Sequence, residues 1–317
     1  MNATRNRALG SLAICTAAFL WGLDGVVLTP RLYELEVPFV VFLIHAVPFL
    51  LMQPILFPAY RALARLAVVD WLFLGLVSIC GGLLGTMAIV RALFLVNFNE
   101  LSVVVLLQKL QPIFAILLAG VVLGERVSAR FLGRAVVALT GAYLLSFGLG
   151  APQLDGGTAT VAAAGWAVVA AAAFGSATVF GKRLLGVLDF RQMTFGRYGL
   201  TTVISGLYLA LGGFGLPLAS VTPTQWQLIL IISLTTGSGA LFLYYFGLTR
   251  VRAVVATICE LCLPLSAILL DFAVNGSRLD LWQWVGAGLL LAAITLISGD
   301  FDLPRMRRWR PGLGSAG

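Results

Sequence analysis

The sequence predicts an all-α membrane protein with ten transmembrane helices, arranged as two inverted five-helix repeats. Three observations lead to this fold: a hydrophobic composition, ten apolar runs of about 20 residues, and an internal repeat that holds an odd number of these runs. Of the 317 residues, 60% are hydrophobic and only 11% are charged. A soluble domain carries about 25% charged residues, so we expect no separate soluble domain.

The ten apolar runs predict helices because each is about as long as the hydrocarbon core requires. Short polar loops separate them. The first run lacks the small-residue cleavage site of a signal peptide, so we interpret it as a helix that is retained. The predicted spans are Ala8–Leu28, Val37–Phe57, Val69–Phe94, Leu101–Leu123, Arg130–Leu149, Val161–Phe180, Met193–Leu211, Gln225–Leu248, Ala253–Val274 and Leu281–Ser298.

The distribution of the basic residues predicts the orientation. A formal net charge of +8 could by itself indicate a nucleic-acid partner. If the N-terminus is cytoplasmic, 17 of the 21 Lys and Arg residues fall on the cytoplasmic side, Arg31 and Arg278 fall outside, and Arg91 and Lys109 lie within spans. This positive-inside bias accounts for the charge without nucleic acid. It predicts a plasma-membrane or inner-membrane protein with both termini cytoplasmic. The 17 are Arg5, Arg7, Arg61, Arg65, Arg126, Arg130, Arg134, Lys182, Arg183, Arg191, Arg197, Arg250, Arg252, Arg305, Arg307, Arg308 and Arg310.

An internal repeat divides the chain into two copies. Pro112-Ile-Phe-Ala-Ile-Leu-Leu matches Pro264-Leu-Ser-Ala-Ile-Leu-Leu at five of seven positions, at an offset of 152 residues (264 − 112). Each copy holds five spans, an odd number, so the second copy enters the membrane in the opposite sense. Inverted repeats are typical of secondary transporters, which bind substrate near the midplane between the copies. The predicted division is a first repeat at 1–150, a second at 151–300, and a basic cytoplasmic tail at 301–317.

Several motifs resemble the EamA-type branch of the drug/metabolite transporter superfamily. The first span contains Phe19-Leu-Trp-Gly-Leu-Asp, and the fourth ends in Leu123-Gly-Glu-Arg before a small-residue span through Gly141. The resemblance covers almost the whole chain and implies a ten-helix transporter of small metabolites, often an exporter of amino acids or related compounds. Two positions depart from the family pattern. Asp24 stands where Asn, Ser or Thr is usual, and Gly276-Ser277-Arg278 replaces Gly-Glu-Arg in the second copy.

Ionisable and polar residues within the spans are the candidates for the substrate site. An ionisable residue there costs about 2.5–3.5 kcal/mol and persists when it faces protein or a water-filled cavity. The repeat offset pairs Gln108 with Glu260, and each precedes a proline that can kink its helix and free carbonyl groups toward a cavity. The predicted substrate-binding residues are Trp21, Asp24, Arg91, Gln108, Lys109, Tyr244, Tyr245 and Glu260.

The charges within the spans suggest the class of substrate. Asp24 and Glu260 are acidic, whereas Arg91 and Lys109 are basic, and this mixture favours a zwitterion such as an amino acid. We expect a secondary transporter that works by alternating access, with export as the direction that the resemblance suggests. A membrane channel or receptor for a small solute is the alternative. A membrane enzyme is disfavoured because the sequence shows no GxSxG elbow, metal cluster or carboxylate pair placed for acid–base work.

No cofactor or metal is expected. Cys259-Glu-Leu-Cys262 has the spacing of metal and redox sites, but no second ligand pair accompanies it, and we interpret both cysteines as packing residues. His45, the single histidine, is also interpreted as a packing residue. Glu125 and Arg126 are expected to form an interfacial ion pair. The fifth and tenth spans are rich in small residues, which favours close helix packing or a homodimer through these helices.

Overall fold

The structure is a computed structural model, and it describes residues 3–32, 34–96, 104, 107–151, 157–275 and 279–299. In these ranges every regular element is a helix. The basic tail at 301–317, the beginning of the fourth predicted span and the Gly276-Ser277-Arg278 segment lie outside the described residues. The all-helical fold predicted from the apolar runs is therefore confirmed for the described ranges.

The two halves contain similar series of helices. The N-terminal half contains α1 (Ala3–Leu23), α2 (Val37–Leu56), α3 (Ala59–Leu63), α4 (Val68–Val77), α5 (Gly85–Leu95), α6 (Gln111–Val122) and α7 (Ala129–Phe147). The C-terminal half contains α8 (Gly157–Leu184), α9 (Phe190–Leu211), α10 (Pro223–Ile232), α11 (Ser238–Leu248), α12 (Ala253–Cys259), α13 (Cys262–Asn275) and α14 (Leu281–Ser298).

Within the described residues, three π-helical segments interrupt the α-helical pattern. Asp24–Leu28 follows α1, Ser78–Leu84 joins α4 to α5, and Ser233–Gly237 joins α10 to α11. The last two occupy related places in the two halves, because the repeat offset carries residues 78–84 onto 230–236. Segments of this kind bend a helix and are frequent at functional sites.

Seven helical stretches in the described part of the chain are long and apolar enough to cross a membrane, so the protein is a multi-pass membrane protein. Described helices also overlap the other three predicted spans, but α6 is only 12 residues long, and α1 and α9 are not among the seven. The count of ten spans thus remains a prediction. The seven are Val37–Leu56, Val68–Leu95, Ala129–Phe147, Gly157–Leu184, Pro223–Leu248, Ala253–Leu270 and Leu281–Ser298.

The spans that carry Pro112 and Pro264 are both broken where the sequence predicts a kink. A turn at Lys109–Leu110 precedes α6, which carries Pro112 in its first turn. A turn at Glu260–Leu261 separates α12 from α13, which carries Pro264. Proline lacks the N–H that would continue the helical ladder, and each break lies in the turn before the proline, whereas α2 continues as a helix through Pro48 and Pro54. The turns lie 151 positions apart (260 − 109), one residue from the repeat offset of 152, and bring polar residues to the ends of half-helices.

The small-residue helices α7 and α14 pack against each other within one chain. A Cβ atom added at Gly141 would lie 2.7 Å from the backbone nitrogen of Leu290, and one added at Gly286 would clash with the backbone nitrogen of Leu145. Gln283 also donates a hydrogen bond to the Leu145 carbonyl (3.3 Å). Because this contact uses the small-residue faces, the structure does not support the predicted homodimer through these helices.

Glu125 joins the two halves, and its partners correct the expected ion pair with Arg126. Its carboxylate is buried and accepts hydrogen bonds from the backbone N–H groups of Ala253 (3.0 Å) and Val254 (3.3 Å). It also pairs with the Nε atom of Arg252 at 3.5 Å. The first N–H groups of a helix lack partners and carry partial positive charge. Glu125 therefore caps α12 from the other half of the molecule.

Candidate functional site

A cavity of about 270 Å³ lies between the two halves. Small-molecule sites usually enclose about 300–1,000 Å³, so this cavity is slightly smaller than that range. Its wall combines aromatic rings, neutral polar groups and charged groups. The aromatic members are Trp21, His45, Phe174, Tyr198 and Tyr244. The neutral polar members with side-chain donors are Thr86, Gln108, Gln111, Thr178 and Thr236, and the charged members are Asp24, Arg197 and Glu260.

Glu260 lies at the helix break between α12 and α13 and is held by neutral donors. The Tyr244 hydroxyl donates to Oε1 at 2.8 Å, and the Gln111 amide donates to Oε2 at 2.5 Å. The Thr178 hydroxyl lies 3.3 Å from Oε1 and 2.6 Å from the Tyr244 hydroxyl. These donors come from α11, α6 and α8, so the two halves jointly fix this carboxylate. Within the described residues no Lys or Arg forms an ion pair with it.

Asp24 lies at a second polar cluster, where two π-helical segments meet. The Thr29 hydroxyl donates to Oδ2 at 3.0 Å, and the Thr236 hydroxyl donates to Oδ1 at 3.1 Å. Asp24 begins the π-helical segment after α1, and Thr236 belongs to the one between α10 and α11. The cluster therefore depends on both helix distortions. It places a carboxylate on the cavity wall with only hydroxyl donors bound to it in the described part of the chain.

Aromatic rings line the space between these polar clusters. The rings of Trp21 and Tyr244 are 5.3 Å apart at 51°, and those of His45 and Tyr198 are 5.3 Å apart at 44°. The His45 Nδ1 atom lies 2.8 Å from the Val41 carbonyl. His45 is thus a packed, hydrogen-bonded histidine, as expected, but it also borders the cavity. Tilted aromatic walls offer large apolar contact areas to a flat substrate.

Arg197 is a cavity residue that the sequence analysis missed. It was assigned to the cytoplasmic side, yet it lies within α9 and is the one Lys or Arg among the described residues that line this cavity. Its Nη1 atom donates to the Tyr245 hydroxyl at 2.9 Å, and its Nη2 atom donates to the Gly81 carbonyl at 2.7 Å. A signal was present, because Arg197 falls inside the predicted span Met193–Leu211.

Five of the predicted site residues line the main cavity, namely Trp21, Asp24, Gln108, Tyr244 and Glu260. The other three are placed differently. Tyr245 is fully buried and contacts Arg197 through its hydroxyl.

Uncharged polar residues that were not predicted also line the cavity, namely Gln111, Thr178, Tyr198 and Thr236. The sequence alone did not distinguish them from the many other polar residues of the spans.

The two predicted basic site residues do not contact the main cavity. Lys109 borders an adjacent cavity of about 40 Å³, but its ammonium group donates to the Ala142 carbonyl (3.1 Å) and to the Ser146 hydroxyl. Arg91 is exposed, and its guanidinium lies 5.0 Å from the ring centre of Trp166. Lys109 therefore connects the turn before α6 to α7 through hydrogen bonds, and the guanidinium of Arg91 packs against Trp166 of α8. The positive charge of the main cavity comes from Arg197 instead.

Comparison with known proteins places the chain in a family. The sequence model of the EamA-like transporter family matches residues 8–147 and again residues 161–299. The chain belongs to the EamA-like transporter family. This assignment confirms the resemblance to the drug/metabolite transporter superfamily that the motifs suggested, and it makes the protein a transporter and not an enzyme. The two matches also agree with a chain built from two repeats.

Relatives of this EamA-like transporter include proteins named as transporters. The chain is 46% identical to the riboflavin transporter ImpX of Fusobacterium nucleatum subsp. nucleatum over 296 residues, which cover 92% of this chain and 98% of the relative. It is 26% identical to the uncharacterized transporter YxxF of Bacillus subtilis over 210 residues, 63% of each chain. One solved crystal structure superposes with a TM-score of 0.71 at 16% identity, covering 91% of this chain and 96% of that one. That likeness concerns the fold alone.

Proposed function

We propose that this EamA-like transporter carries riboflavin, or a closely related flavin, across the cell membrane. The observation that carries the proposal is the aromatic, hydrogen-bonding cavity between the two halves. It occurs in a chain that is 46% identical, along nearly its full length, to a relative named a riboflavin transporter. Secondary transporters bind their substrates at this kind of interface between repeats.

The chemistry of riboflavin suits the wall of the cavity. Its tricyclic ring is flat and largely apolar, and the rings of Trp21, Tyr198 and Tyr244 offer faces for such a ring. One ring edge carries carbonyl acceptors and an imide N–H donor, while the ribityl chain carries hydroxyl groups. Arg197 and Gln111 supply donors for the acceptors, and the carboxylates of the cavity supply acceptors for the N–H and hydroxyl groups.

An amino acid, the substrate class expected from the sequence, is the second candidate. Of the four charged residues that favour a zwitterion, Lys109 and Arg91 do not contact the main cavity. Both signs of charge are nevertheless present there, because Arg197 lies on the same wall as Asp24 and Glu260. A zwitterion would match this set, but it would leave most of the aromatic surface without a partner.

The proposed mechanism is alternating access, in which the repeats at 1–150 and 151–300 rock against each other. Two features support it. Glu260 accepts hydrogen bonds from residues of both repeats, and Glu125 of the first repeat caps α12 of the second. Contacts of this kind can exchange when the repeats move. In this proposal the protein lies in the plasma or inner membrane with both termini cytoplasmic, as the positive-inside bias predicts.

The experiment is solute counterflow with purified protein in liposomes. Vesicles preloaded with unlabelled riboflavin should transiently accumulate labelled riboflavin, whereas protein-free vesicles should not. An excess of amino acids on the outside should leave this signal unchanged. Separate uptake and efflux measurements then give the direction of net transport.

A matched pair of tryptophan variants connects the activity to the cavity. Trp21→Ala should weaken riboflavin transport because it removes an aromatic wall, whereas Trp71→Ala alters an α4 side chain that is 41% exposed and outside the cavity. Accumulation of a labelled amino acid without riboflavin counterflow would refute the flavin assignment in favour of the second candidate. Downhill flux of riboflavin without counterflow would instead indicate a channel.

A further inference from the structure

We propose that Arg197 determines specificity in this transporter by binding the carbonyl-bearing edge of a flat heteroaromatic substrate, and that Gly81 and Tyr245 hold its guanidinium in position. The inference rests on the proposed flavin transport and names the contact that selects the ring. It is based on the absence of a carboxylate partner for Arg197 among the described residues, on the unused N–H donors of its guanidinium, and on the close approach of that guanidinium to Gly81.

The positive charge of Arg197 has no carboxylate partner. Within the described residues, no Asp or Glu lies within ion-pair distance of its guanidinium, and its two hydrogen bonds go to a neutral hydroxyl and a backbone carbonyl. Charged residues inside membrane spans usually pair with one another or face a functional cavity. Arg197 lines the main cavity, so a substrate that carries acceptors would complete its surroundings.

The guanidinium also retains unused donors. An arginine side chain carries five N–H groups in a fixed planar fork, and the structure gives partners to one on Nη1 and one on Nη2. The Nε atom is buried and has no hydrogen-bond partner among the described residues. A buried donor without a partner is unfavourable in the empty site. A carbonyl oxygen on the edge of a flat ring is a suitable acceptor for the remaining N–H donors of the guanidinium.

Gly81 allows the guanidinium to lie where it does. A Cβ atom added at Gly81 would lie 2.8 Å from the Cβ of Ala177 on α8, 2.9 Å from Nη2 of Arg197 and 3.1 Å from its Cζ. A side chain at this position would therefore displace the guanidinium from the Gly81 carbonyl. Gly81 belongs to the π-helical segment between α4 and α5, so this distortion presents both a bare backbone and a carbonyl to Arg197. Tyr245 fixes the other side of the fork through its hydroxyl.

The test compares four variants in riboflavin-transporting liposomes. Arg197→Gln removes the charge, Arg197→Lys keeps the charge but loses the fork, and Gly81→Ala displaces an intact arginine. Gly75→Ala is the control, because an added Cβ there meets nothing within 4 Å. The measurements are the riboflavin concentration for half-maximal transport, the maximal rate, and inhibition by lumichrome, which keeps the ring edge but lacks the ribityl chain.

We expect Arg197→Gln and Gly81→Ala to raise the half-maximal concentration by about tenfold or more, in line with the loss of one charge-assisted hydrogen bond. Inhibition by lumichrome should weaken by a similar factor, because the affected contact is on the ring. Arg197→Lys should recover part of the loss, and Gly75→Ala should match the wild type. Gly81→Ala provides the test if Arg197→Gln does not fold.

Two results would overturn the inference. One is an unchanged half-maximal concentration in both Arg197→Gln and Gly81→Ala while the wild type transports riboflavin. The other is a lower maximal rate with unchanged inhibition by lumichrome, which would make Arg197 a structural support for the π-helical segment. If the wild type itself fails to transport riboflavin, the proposed function is refuted, and the flavin assignment of Arg197 is refuted with it.

Discussion

Replacing Glu125 with alanine should destabilise the protein more than an ordinary helix-cap substitution would. Its side chain is 0% exposed and that of Arg252 is 11% exposed, so the pair is a buried one. The substitution removes the acceptor for the N–H groups of Ala253 and Val254 and leaves Arg252 without this charge partner. Breaking a buried pair by removing one partner costs about 3–5 kcal/mol. We expect a loss of that order.

Asp189 provides a matched control for this substitution. Its carboxylate also accepts two backbone hydrogen bonds at a helix start, from Arg191 (2.8 Å) and Gln192 (2.9 Å), but it is exposed and caps its own helix, α9. Loss of an ordinary N-cap costs about 1 kcal/mol. In detergent, the fall in the thermal unfolding midpoint should therefore be about three times larger for Glu125→Ala than for Asp189→Ala.

Equal shifts for Glu125→Ala and Asp189→Ala would refute this reasoning. They would show that the contact between the halves contributes no more than a local cap. Glu125→Gln refines the comparison, because it keeps one acceptor oxygen and removes the charge. Its midpoint should fall between those of the wild type and Glu125→Ala, and a value equal to that of Glu125→Ala would assign the whole effect to the charge.

Three further predictions concern packing, coupling and topology. Gly286→Ala should lower the unfolding midpoint strongly, because its Cβ would meet the backbone of α7, whereas Gly288→Ala on the same helix meets nothing within 4 Å and should be tolerated; similar midpoints would contradict the packing. Glu260→Gln should abolish accumulation driven by a pH gradient but preserve exchange if Glu260 carries a coupled proton, and unchanged pH dependence would exclude that role. In a background without the native cysteines, a cysteine at Arg65 should resist an impermeant reagent added outside, whereas one at Gly213 should react; the opposite pattern would invert the topology.

The all-helical fold was largely predictable from the sequence, whereas the count of ten spans and their orientation stay predictions. Apolar runs of sufficient length have few alternatives in a bilayer, because backbone groups must be satisfied internally. Kinks near Pro112 and Pro264 were predicted from the missing proline N–H, but proline alone does not specify a break, because α2 continues through Pro48 and Pro54. The π-helical segments were not predicted, because no local sequence pattern specifies them and they depend on contacts between helices.

The composition of the site was only partly predictable. Glu260 and Asp24 were predicted as site residues because a carboxylate within a membrane span is unfavourable unless it faces protein or a water-filled cavity. The direction in which a buried side chain points depends on the neighbouring helices, so Lys109 could not be distinguished from a cavity residue before α7 was placed beside it. Arg197 was missed as a cavity residue because it was assigned to the cytoplasmic side, although it lies within a predicted span. The partners of Glu125 lie more than 120 residues away in sequence, beyond any local pattern.

The close pairing of α7 with α14 has a practical consequence. Neither helix contributes a side chain to the main cavity within the described ranges. Their outer surfaces carry aliphatic residues that are about half exposed, such as Leu132, Val136, Leu291 and Leu296. A fluorophore placed on this outer surface would lie beside a close helix contact between the two repeats without obstructing the cavity. The pair therefore offers a reference point from which distance measurements could follow the proposed motion of the repeats.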